Sequence, residues 1–389
     1  MISRRGLDIR PFMVMEVMEK AEEMERSGRE VIHLEVGEPD FDTPPCIKEA
    51  CLQAMQDGKT HYTASLGLVQ LREAICDDYW QRYGVKISPD QIIVTSGTSP
   101  ALLLLFSVIL EPGDEAIIPN PYYPCYPNII WFVDARPVPV DVLEEEGFQY
   151  QPDLIRSVIT PRTRAVMVNS PSNPTGHVMA PELMAKLSQF GPYIVSDEIY
   201  HGLVYEGKAH TILEFTDRAF VINGFSKLYA MTGWRLGYVI APREFVRPMQ
   251  KIQQNLFISA NSMVQWSAIA ALNQAKADVQ AMVETYNRRR IQTLKRLKEL
   301  GFGIATEPTG AFYILANARR FTESSYEFAF DMLEKASVGV APGSDFGSNA
   351  EGYLRFCYAN SMENIEQAME RIGHYLENQE SGVRSQESE

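Results

Sequence analysis

A lysine and an arginine stand eight residues apart in a segment rich in glycine and other small residues. The segment, Gly224-Phe-Ser-Lys-Leu-Tyr-Ala-Met-Thr-Gly-Trp-Arg-Leu-Gly237, begins at the end of an apolar run, so Lys227 is predicted to lie just beyond a strand. A lysine held near another cation or away from water has a lowered pKa, and its neutral amine can form a Schiff base with a carbonyl compound. A lone lysine is most often a solvated loop residue. Arg235 and the small residues around Lys227 favour the chemical interpretation.

Three other predicted strand ends carry polar residues of a suitable kind. Asp197 follows an apolar strand, and a carboxylate there would keep a nearby ring nitrogen protonated, because a neighbouring opposite charge favours the charged form. Residues 169–176, Asn-Ser-Pro-Ser-Asn-Pro-Thr-Gly, form a turn after another strand. Residues 96–100, Ser-Gly-Thr-Ser-Pro, open a helix whose free N–H groups and hydroxyls suit a phosphate. Taken singly, each has an ordinary structural explanation, a helix cap for Asp197 and local turns for the others.

Short apolar strands alternate with helices along most of the chain and would bring these polar residues together. The predicted strands of this alternation lie at residues 92–94, 115–118, 165–168, 193–195, 220–222 and 236–240, and a separate strand is predicted earlier, at residues 31–36. Strands that are apolar throughout and separated by helices indicate a mostly parallel sheet covered on both faces, which is an α/β fold. Ligands bind beyond the carboxyl ends of such strands, where the residues singled out above are predicted to lie.

The pattern changes after about residue 280, where helices at 285–300 and 325–335, strands near 312–315 and 353–358, and a last helix ending at Leu376 predict a smaller α+β domain. We expect four parts along the chain: an N-terminal helix and arm belonging to the small domain (1–42), a large domain (43–280), a small C-terminal domain (281–378) and a flexible tail (379–389). The N-terminal helix carries four methionines largely on one face, at positions 13, 15, 18 and 24, and core packing is their expected role.

Composition and charge exclude several classes of protein. The chain has 36 basic and 50 acidic residues, a net charge of -14, which argues against a nucleic-acid partner. No apolar stretch approaches the roughly 20 residues that cross a bilayer. The five cysteines form no Cys-x-x-Cys pair and the six histidines show no ligand spacing, so neither a disulfide framework nor a metal site is indicated. We expect a cytoplasmic protein with no membrane or nucleic-acid partner.

Together, these motifs resemble those of the fold type I pyridoxal-phosphate (PLP) aminotransferases, class I/II. The resemblance runs over nearly the whole chain, and four motifs occur in the family's order: Asn173 in Ser-Asn-Pro-Thr-Gly, Asp197 with Tyr200, Lys227 with Arg235, and Arg355 in Leu-Arg-Phe-Cys-Tyr-Ala. It implies a PLP-dependent transaminase with a large domain, built on a mostly parallel seven-stranded sheet flanked by helices, and a smaller α+β domain from the two chain ends.

The resemblance also implies roles for individual residues at the cofactor. Lys227 would bind PLP covalently and act as acid and base, Asp197 would pair with the pyridine nitrogen, and Asn173 and Tyr200 would hydrogen-bond the phenolic oxygen. Lys227, Asp197 and Tyr200 are thus the expected catalytic residues. Tyr123 would stack on the ring. The remaining cofactor ligands would be Ser226 and, at the phosphate, Gly97, Thr98, Ser99 and Arg235.

The same resemblance extends to the substrate and to a second subunit. Arg355 would bind the substrate carboxylate as a bidentate pair, with Asn173 beside it and Gly37 allowing close backbone approach. Tyr62 looks like the tyrosine that reaches the phosphate of a neighbouring subunit, which implies a homodimer with shared active sites. One departure concerns Gly224, three residues before Lys227, where some relatives carry a hydroxyl donor to the phosphate. One phosphate contact would then be missing.

The expected reaction is transfer of the amino group of an L-amino acid to a 2-oxo acid such as 2-oxoglutarate, with ping-pong kinetics. A dicarboxylate-specific site would need a second cation, and no basic residue stands near residues 96–101. Neutral or aromatic amino donors are therefore preferred. A carbon–sulfur β-lyase of the same fold would use the same anchor residues and is the main alternative. A non-enzymatic PLP-binding regulator is disfavoured by the charge and by the single helix at residues 9–28.

Overall fold

Apolar, largely β-branched runs form the strands of the protein, and segments with one apolar face form most of its helices. The computed structural model describes residues 2–386, without the side chains of Arg4 and of residues 380–386. The strands are β1 (Ile32–His33), β2 (Ile92–Thr95), β3 (Glu115–Asn120), β4 (Arg136–Asp141), β5 (Thr163–Asn169), β6 (Tyr193–Asp197), β7 (Ala219–Gly224), β8 (Gly237–Ile240), β9 (Tyr313–Asn317), β10 (Val338–Gly339), β11 (Ala341–Pro342) and β12 (Tyr353–Cys357).

The helices cover both faces of the large sheet and much of the chain's second half. They are α1 (Arg4–Asp8), α2 (Met13–Arg26), α3 (Pro45–Gln56), α4 (Val69–Tyr83), α5 (Thr98–Ile109), α6 (Cys125–Phe132), α7 (Pro152–Val158), α8 (Pro181–Leu187), α9 (Arg243–Leu256), α10 (Ser262–Gln274), α11 (Lys276–Glu299), α12 (Ser325–Ala336) and α13 (Met362–Gln386). Among the helices described, none combines the length and apolar character that a bilayer crossing requires.

Strands β2 to β8 form one seven-stranded sheet in the order β2-β8-β7-β6-β5-β3-β4. Strand β8 runs antiparallel to β2 and β7, whereas the other neighbours run parallel. The mostly parallel seven-stranded sheet is therefore confirmed. The hydrophobic pattern does not predict β4, because Pro137 and Pro139 argue against a strand. The prolines are tolerated because β4 lies at the edge of the sheet, where some backbone N–H groups have no partner strand.

Alternate residues of the central strands point to opposite faces, and each face has its own apolar core. Ile93 and Phe220 belong to the core that packs under α5, α6 and α9. Their strand neighbours Ile92 and Val221 belong to the core that packs under α3, α4, α8 and α10. Burial of both faces explains why these strands are apolar throughout rather than alternating with polar residues.

The two ends of the chain pack against each other. Strand β1 pairs in parallel with β10, so that Ile32 lies opposite Val338. Helix α2 buries one apolar face against Leu333 of α12. Strands β11, β12 and β9 form a separate antiparallel sheet that carries Arg355. The predicted boundaries at residues 42, 280 and 378 stay predictions, since the fold does not by itself divide the chain at those points.

The last helix is longer than the sequence predicts. It runs to Gln386 instead of ending at Leu376. The residues after Leu376 show no apolar periodicity, but glutamate, glutamine and arginine favour the helix intrinsically, which explains why the helix continues without an apolar stripe. The prediction of a flexible tail at 379–389 falls partly on residues 387–389, which lie outside the described residues.

Candidate active site

The carboxyl ends of β2, β7, β6 and β5 meet at one edge of the large sheet and border a cavity of about 390 Å³. Residues from four predicted motifs and from the N-terminal arm meet there. The predicted residues that line the cavity are Gly37, Thr98, Ser99, Tyr123, Asn173, Asp197, Tyr200, Ser226, Lys227, Arg235 and Arg355. Parallel strands bring their carboxyl ends to the same edge, which is why motifs far apart in sequence converge.

Lys227 lies three residues beyond the end of β7, and its amine points into the cavity. The Nζ atom donates a hydrogen bond of 2.6 Å to the carbonyl oxygen of Gly37. Burial lowers the pKa of Lys227 to about 8, and the cations of Arg355 and Arg235 act in the same direction. A lysine with such a pKa has a substantial neutral fraction near pH 7 to 8, so it can serve as a nucleophile and as a proton carrier.

Asp197 is the last residue of β6 and is 4% exposed. Its Oδ2 accepts a hydrogen bond of 2.6 Å from the Tyr126 hydroxyl, and its Oδ1 accepts one of 3.2 Å from the backbone N–H of Ile199. Burial raises the pKa of Asp197 to about 6, while these hydrogen bonds and the charge of Lys227 oppose the rise. The carboxyl group is therefore mostly ionised at neutral pH and can pair with a cationic ring nitrogen.

The start of α5 and Arg235 together form a candidate anion site. Gly97 has φ +106°, and a Cβ atom at this position would lie 2.7 Å from Arg235 Nη2. Close approach of Arg235 to the helix start thus depends on a glycine. The first N–H groups of α5 have no partner within the helix, and the Thr98 and Ser99 hydroxyls line the cavity beside them. Free N–H groups, hydroxyls and a guanidinium together suit a phosphate.

Gly224 is explained by close packing of two strands. It pairs with Gly237 of β8, and a Cβ atom at position 224 would lie 2.9 Å from the Leu236 carbonyl oxygen. A serine or threonine would require the backbone of β8 to move. Gly224 is not part of the cavity wall, whereas Ser226, two residues later, is part of it.

Arg355 extends from β12 and is 2% exposed. Its Nη1 donates a hydrogen bond of 3.0 Å to Asn173 Oδ1, and its Nη2 donates to the Glu35 carbonyl oxygen. Asn169 in turn holds Asn173, since its Oδ1 accepts a 2.7 Å hydrogen bond from the Asn173 backbone N–H. The buried Nε–H of Arg355 has no partner among the described residues. Buried donors are nearly always paired, so this group fits an anionic ligand.

Two predicted site residues do not line the cavity: Gly97 lies next to Arg235 at its border, whereas Tyr62 lies away from it. The Tyr62 side chain is 82% exposed and lies at a separate surface depression with His61 and Met263. Within one chain it contacts neither the anion site nor Lys227.

The sequence assigns no supporting role to several residues of the cavity wall. Tyr126 and Tyr313 contact Asp197 and Tyr200, which are 71 and 113 positions away, and Asn169 holds Asn173 within the same turn. An apolar wall comes from the start of the N-terminal helix: Phe12, Val14, Met15 and Met18. The expected core role of the methionines at 15 and 18 is therefore wrong, because their helix face borders the cavity. Their spacing of three residues, which places side chains on one helix face, was the available signal.

A buried amine, a buried carboxylate and an anion site around one cavity are the donor set that PLP requires, and the unpaired Nε–H of Arg355 leaves room for a further anion. The residues therefore fit this cofactor. On a seven-stranded, mostly parallel sheet they define the class of fold type I PLP enzymes.

The comparisons with known proteins narrow the class. The family model for aminotransferase class I and II matches residues 29–372. A (5-formylfuran-3-yl)methyl phosphate transaminase from Methanocaldococcus jannaschii is 43% identical and covers 97% of this chain and 100% of the relative. An aspartate/prephenate aminotransferase from Thermus thermophilus is 39% identical, with 96% and 98% covered.

A solved structure from Methanococcus jannaschii superposes on this chain with a TM-score of 0.90 at 43% identity. It covers 97% of this chain and 100% of its own, and it is described as similar in its active site to kynurenine aminotransferases. The chain belongs to the aminotransferase class I and II family, and it is a PLP-dependent transaminase.

Proposed function

We propose that this enzyme transfers the amino group of a neutral or aromatic L-amino acid to a 2-oxo acid such as 2-oxoglutarate by a ping-pong mechanism. The observation that carries the proposal is one cavity in which Lys227, Asp197 and Arg355 face an apolar wall. The substrate's carboxylate and its apolar side chain would occupy opposite sides of that cavity.

The residues divide into those that hold the cofactor and those that act on the substrate. Lys227 would bind the aldehyde of PLP, Asp197 would pair with its ring nitrogen, and Tyr123 would pack on its face. Asn173 and Tyr200 would hydrogen-bond the phenolic oxygen. The phosphate would be bound by Gly97, Thr98, Ser99, Arg235 and the neighbouring Ser226. When bound, PLP supplies a carbonyl carbon and an electron sink.

The protein's own part is proton transfer and orientation. Arg355 would fix the substrate carboxylate, and the backbone of Gly37 would lie beside it. The Lys227 amine would remove the proton from the substrate α-carbon and would donate a proton later in the transfer. Its pKa of about 8 suits both directions of transfer near neutral pH. The first 2-oxo acid leaves before the second binds, which gives ping-pong kinetics.

The cavity wall supports the substrate preference. Phe12, Val14, Met15 and Met18 are apolar, and the basic side chains among the residues that line the cavity are Lys227, Arg235 and Arg355. Each of these cations already has a proposed partner, so the distal carboxylate of aspartate would find no spare cation in one chain. The same reasoning places the distal carboxylate of 2-oxoglutarate toward solvent or a second subunit. Pyruvate is therefore a useful second acceptor in the assay.

A homodimer would complete the site. Tyr62 is exposed and distant from its own cavity, so we propose that it reaches the phosphate of a partner subunit. Substitution of Tyr62 by Phe should then weaken PLP binding without changing the oligomeric state seen in gel filtration. The five cysteines carry free thiols, which is compatible with the proposed cytoplasmic location.

The decisive experiment is a panel of amino donors and acceptors with added PLP, comparing wild type with Lys227→Ala. Donors are phenylalanine, alanine and aspartate. Acceptors are 2-oxoglutarate, pyruvate and an aromatic aldehyde carrying a phosphate monoester. We expect the Lys227→Ala enzyme to lose the visible absorbance of bound cofactor and all turnover, whereas Arg355→Ala should keep the absorbance and lose substrate affinity.

Two results would contradict the proposal. Full transfer activity of Lys227→Ala would remove the assigned nucleophile. Pyruvate and ammonia formed from cystathionine, without amino transfer from any donor, would identify a carbon–sulfur β-lyase instead. A strong preference for aspartate would leave the transaminase assignment intact and overturn the proposed substrate class.

A further inference from the structure

A tyrosine outside the predicted set lies between the cofactor side and the carboxylate side of the cavity. Tyr313, the first residue of β9, is 1% exposed, and it is one of the residues that line the cavity. Its hydroxyl lies 2.7 Å from the hydroxyl of Tyr200. The guanidinium carbon of Arg355 lies 4.5 Å from the centre of its ring. One side chain therefore contacts both a proposed cofactor ligand and the proposed carboxylate ligand.

The contact between the two hydroxyls restricts the direction in which the Tyr200 hydroxyl proton can point. Burial raises the pKa of both Tyr200 and Tyr313 far above neutrality, so both hydroxyls are protonated. In a hydroxyl pair, one group donates and the other accepts. If Tyr313 donates to Tyr200, the proton of Tyr200 is free to point at the phenolic oxygen of the cofactor. Without Tyr313, the Tyr200 hydroxyl could turn in other directions.

The ring of Tyr313 acts on Arg355 in a different way. The guanidinium carbon lies over two aromatic rings, 4.5 Å from the centre of Tyr313 and 4.8 Å from that of Phe346. Aromatic faces attract a guanidinium and restrict its plane, and the effect is largest where water is excluded. A fixed plane is what a bidentate carboxylate pair requires. Phe346 does not line the cavity, which makes it a matched control for the ring effect alone.

The tyrosine hydroxyl also lies close to the N-terminal arm. A Cβ atom at Gly37 would lie 2.0 Å from the Tyr313 hydroxyl oxygen, so the hydroxyl occupies space that only glycine leaves open. The carbonyl oxygen of this same glycine accepts the hydrogen bond from Lys227. Tyr313 thus lies where the arm, β9 and the cofactor ligands meet.

We propose that Tyr313 is a positioning residue with two separable parts, an inference that rests on the proposed function. Its hydroxyl orients the Tyr200 hydroxyl toward the cofactor, and its ring fixes the plane of the Arg355 guanidinium for the substrate carboxylate. The hydroxyl should affect the cofactor's electronic state, and the ring should affect carboxylate binding.

The test compares Tyr313→Phe, Tyr313→Leu and Phe346→Leu as holoenzymes. A hydrogen bond from Tyr200 to the phenolic oxygen of PLP favours the ionised form of that oxygen. Loss of the Tyr313 hydroxyl should weaken this bond, so the visible absorbance of the bound cofactor should change with pH at a midpoint about half a unit to one unit higher than in wild type. Tyr313→Phe should keep KM for phenylalanine within about twofold. Tyr313→Leu should raise that KM by about 5- to 30-fold. Phe346→Leu should raise KM without moving the midpoint.

A second measurement does not need turnover. Binding of 3-phenylpropanoate, a carboxylate without an amino group, is followed by calorimetry in the same variants. Its Kd should rise in Tyr313→Leu and Phe346→Leu and stay near wild type in Tyr313→Phe. This Kd measures carboxylate binding by Arg355 even if the enzyme proves to catalyse a different PLP reaction.

The proposal is overturned if Tyr313→Phe leaves the midpoint within about 0.2 unit of wild type, or if it raises KM and Kd as much as Tyr313→Leu does. Suppose that the wild-type enzyme shows Lys227-dependent absorbance and amino transfer, and that Tyr313→Phe leaves the pH midpoint unchanged. This result would refute the inference about Tyr313 and leave the proposed function intact. Absence of both wild-type signals would refute the proposed function. Tyr313→Phe removes one atom and keeps the packed ring, so it tests the hydroxyl even if Tyr313→Leu fails to fold.

Discussion

Replacement of Gly97 by alanine should weaken cofactor binding in addition to destabilising the fold. Gly97 has φ +106° and ψ 173°, a region that is essentially restricted to glycine, so alanine should cost on the order of 1 to 3 kcal/mol of stability. The added Cβ would lie 2.7 Å from Arg235 Nη2, and the guanidinium must withdraw to restore ordinary contact. A hydrogen bond to a charged group contributes about 1.5 to 3 kcal/mol, so loss of the Arg235 contact to phosphate predicts a 10- to 150-fold rise in Kd.

The measurement separates backbone strain from the lost contact. Apoenzyme is titrated with PLP while tryptophan fluorescence is followed, and thermal unfolding of the apoenzyme reports stability. Gly113→Ala is the matched control, because Gly113 has φ +86° and a Cβ atom added there would have no neighbouring atom within 4 Å. Gly113→Ala should lower Tm and leave the Kd for PLP unchanged, whereas Gly97→Ala should lower Tm and raise Kd.

Either of two results would refute the reasoning. A Gly97→Ala enzyme that binds PLP within about twofold of wild type would show that Arg235 at the start of α5 does not hold the phosphate. Equal loss of affinity in Gly113→Ala would show that a general loss of stability, and not the local contact, controls binding.

Three further predictions concern a histidine, a helix start and the buried carboxyl group. The hydrogen bond between His33 and Glu35 raises the pKa of His33 to about 9. The protonated histidine therefore stabilises the fold fully below pH 6.5, and this stabilisation is lost as the pH rises through 9. In urea unfolding, the free energy of unfolding of His33→Gln should therefore be lower than that of wild type, by at most about 3 kcal/mol and by less after solvent screening. The difference should be largest near pH 6 and should disappear above pH 9. Asp345 accepts hydrogen bonds of 3.2 Å from the first two N–H groups of α2, so Asp345→Ala should cost about 0.5 to 2 kcal/mol and raise KM for phenylalanine more than for alanine. Tyr126→Phe removes a donor to Asp197 and should raise the pKa of Asp197 above about 6, so PLP affinity should fall more steeply between pH 8 and pH 6 than in wild type.

These predictions have distinct points of failure. A pH-independent deficit in His33→Gln would mean that packing, not the charge pair, carries the effect. Equal changes in KM for phenylalanine and alanine in Asp345→Ala would separate the start of α2 from substrate recognition. Parallel pH profiles for wild type and Tyr126→Phe would show that Asp197 is not held ionised by that hydroxyl.

The candidate site could be predicted largely because of where its residues stand in the sequence. Asp197 and Lys227 follow apolar strands, and residues 97–99 open a helix after another strand. In a parallel sheet, the carboxyl ends of strands share one edge, so a local pattern carries information about three-dimensional proximity. The order of the motifs also sufficed to indicate the cofactor and the family.

Residues that act through a distant partner could not be found in this way. Tyr313 and Tyr200 are 113 positions apart, and Tyr126 and Asp197 are 71 apart. Neither a helical nor a strand period relates such positions. The methionines of α2 show the same difficulty, because periodicity reveals that they share a helix face but not whether that face meets a core or a cavity.

The amino-acid sequence alone indicated the α/β class and the meeting of Lys227 and Asp197 at one sheet edge, since both follow from local patterns and from strand direction. The family resemblance implied the role of Arg355, which the structure places on the separate sheet of β11, β12 and β9. Only the tertiary structure decided which side chains support these residues, that Tyr62 lies outside its own cavity, and that β4 forms the edge of the sheet despite its two prolines. Those outcomes depend on how elements far apart in the chain pack together, and packing is a property of the whole fold that no short segment encodes.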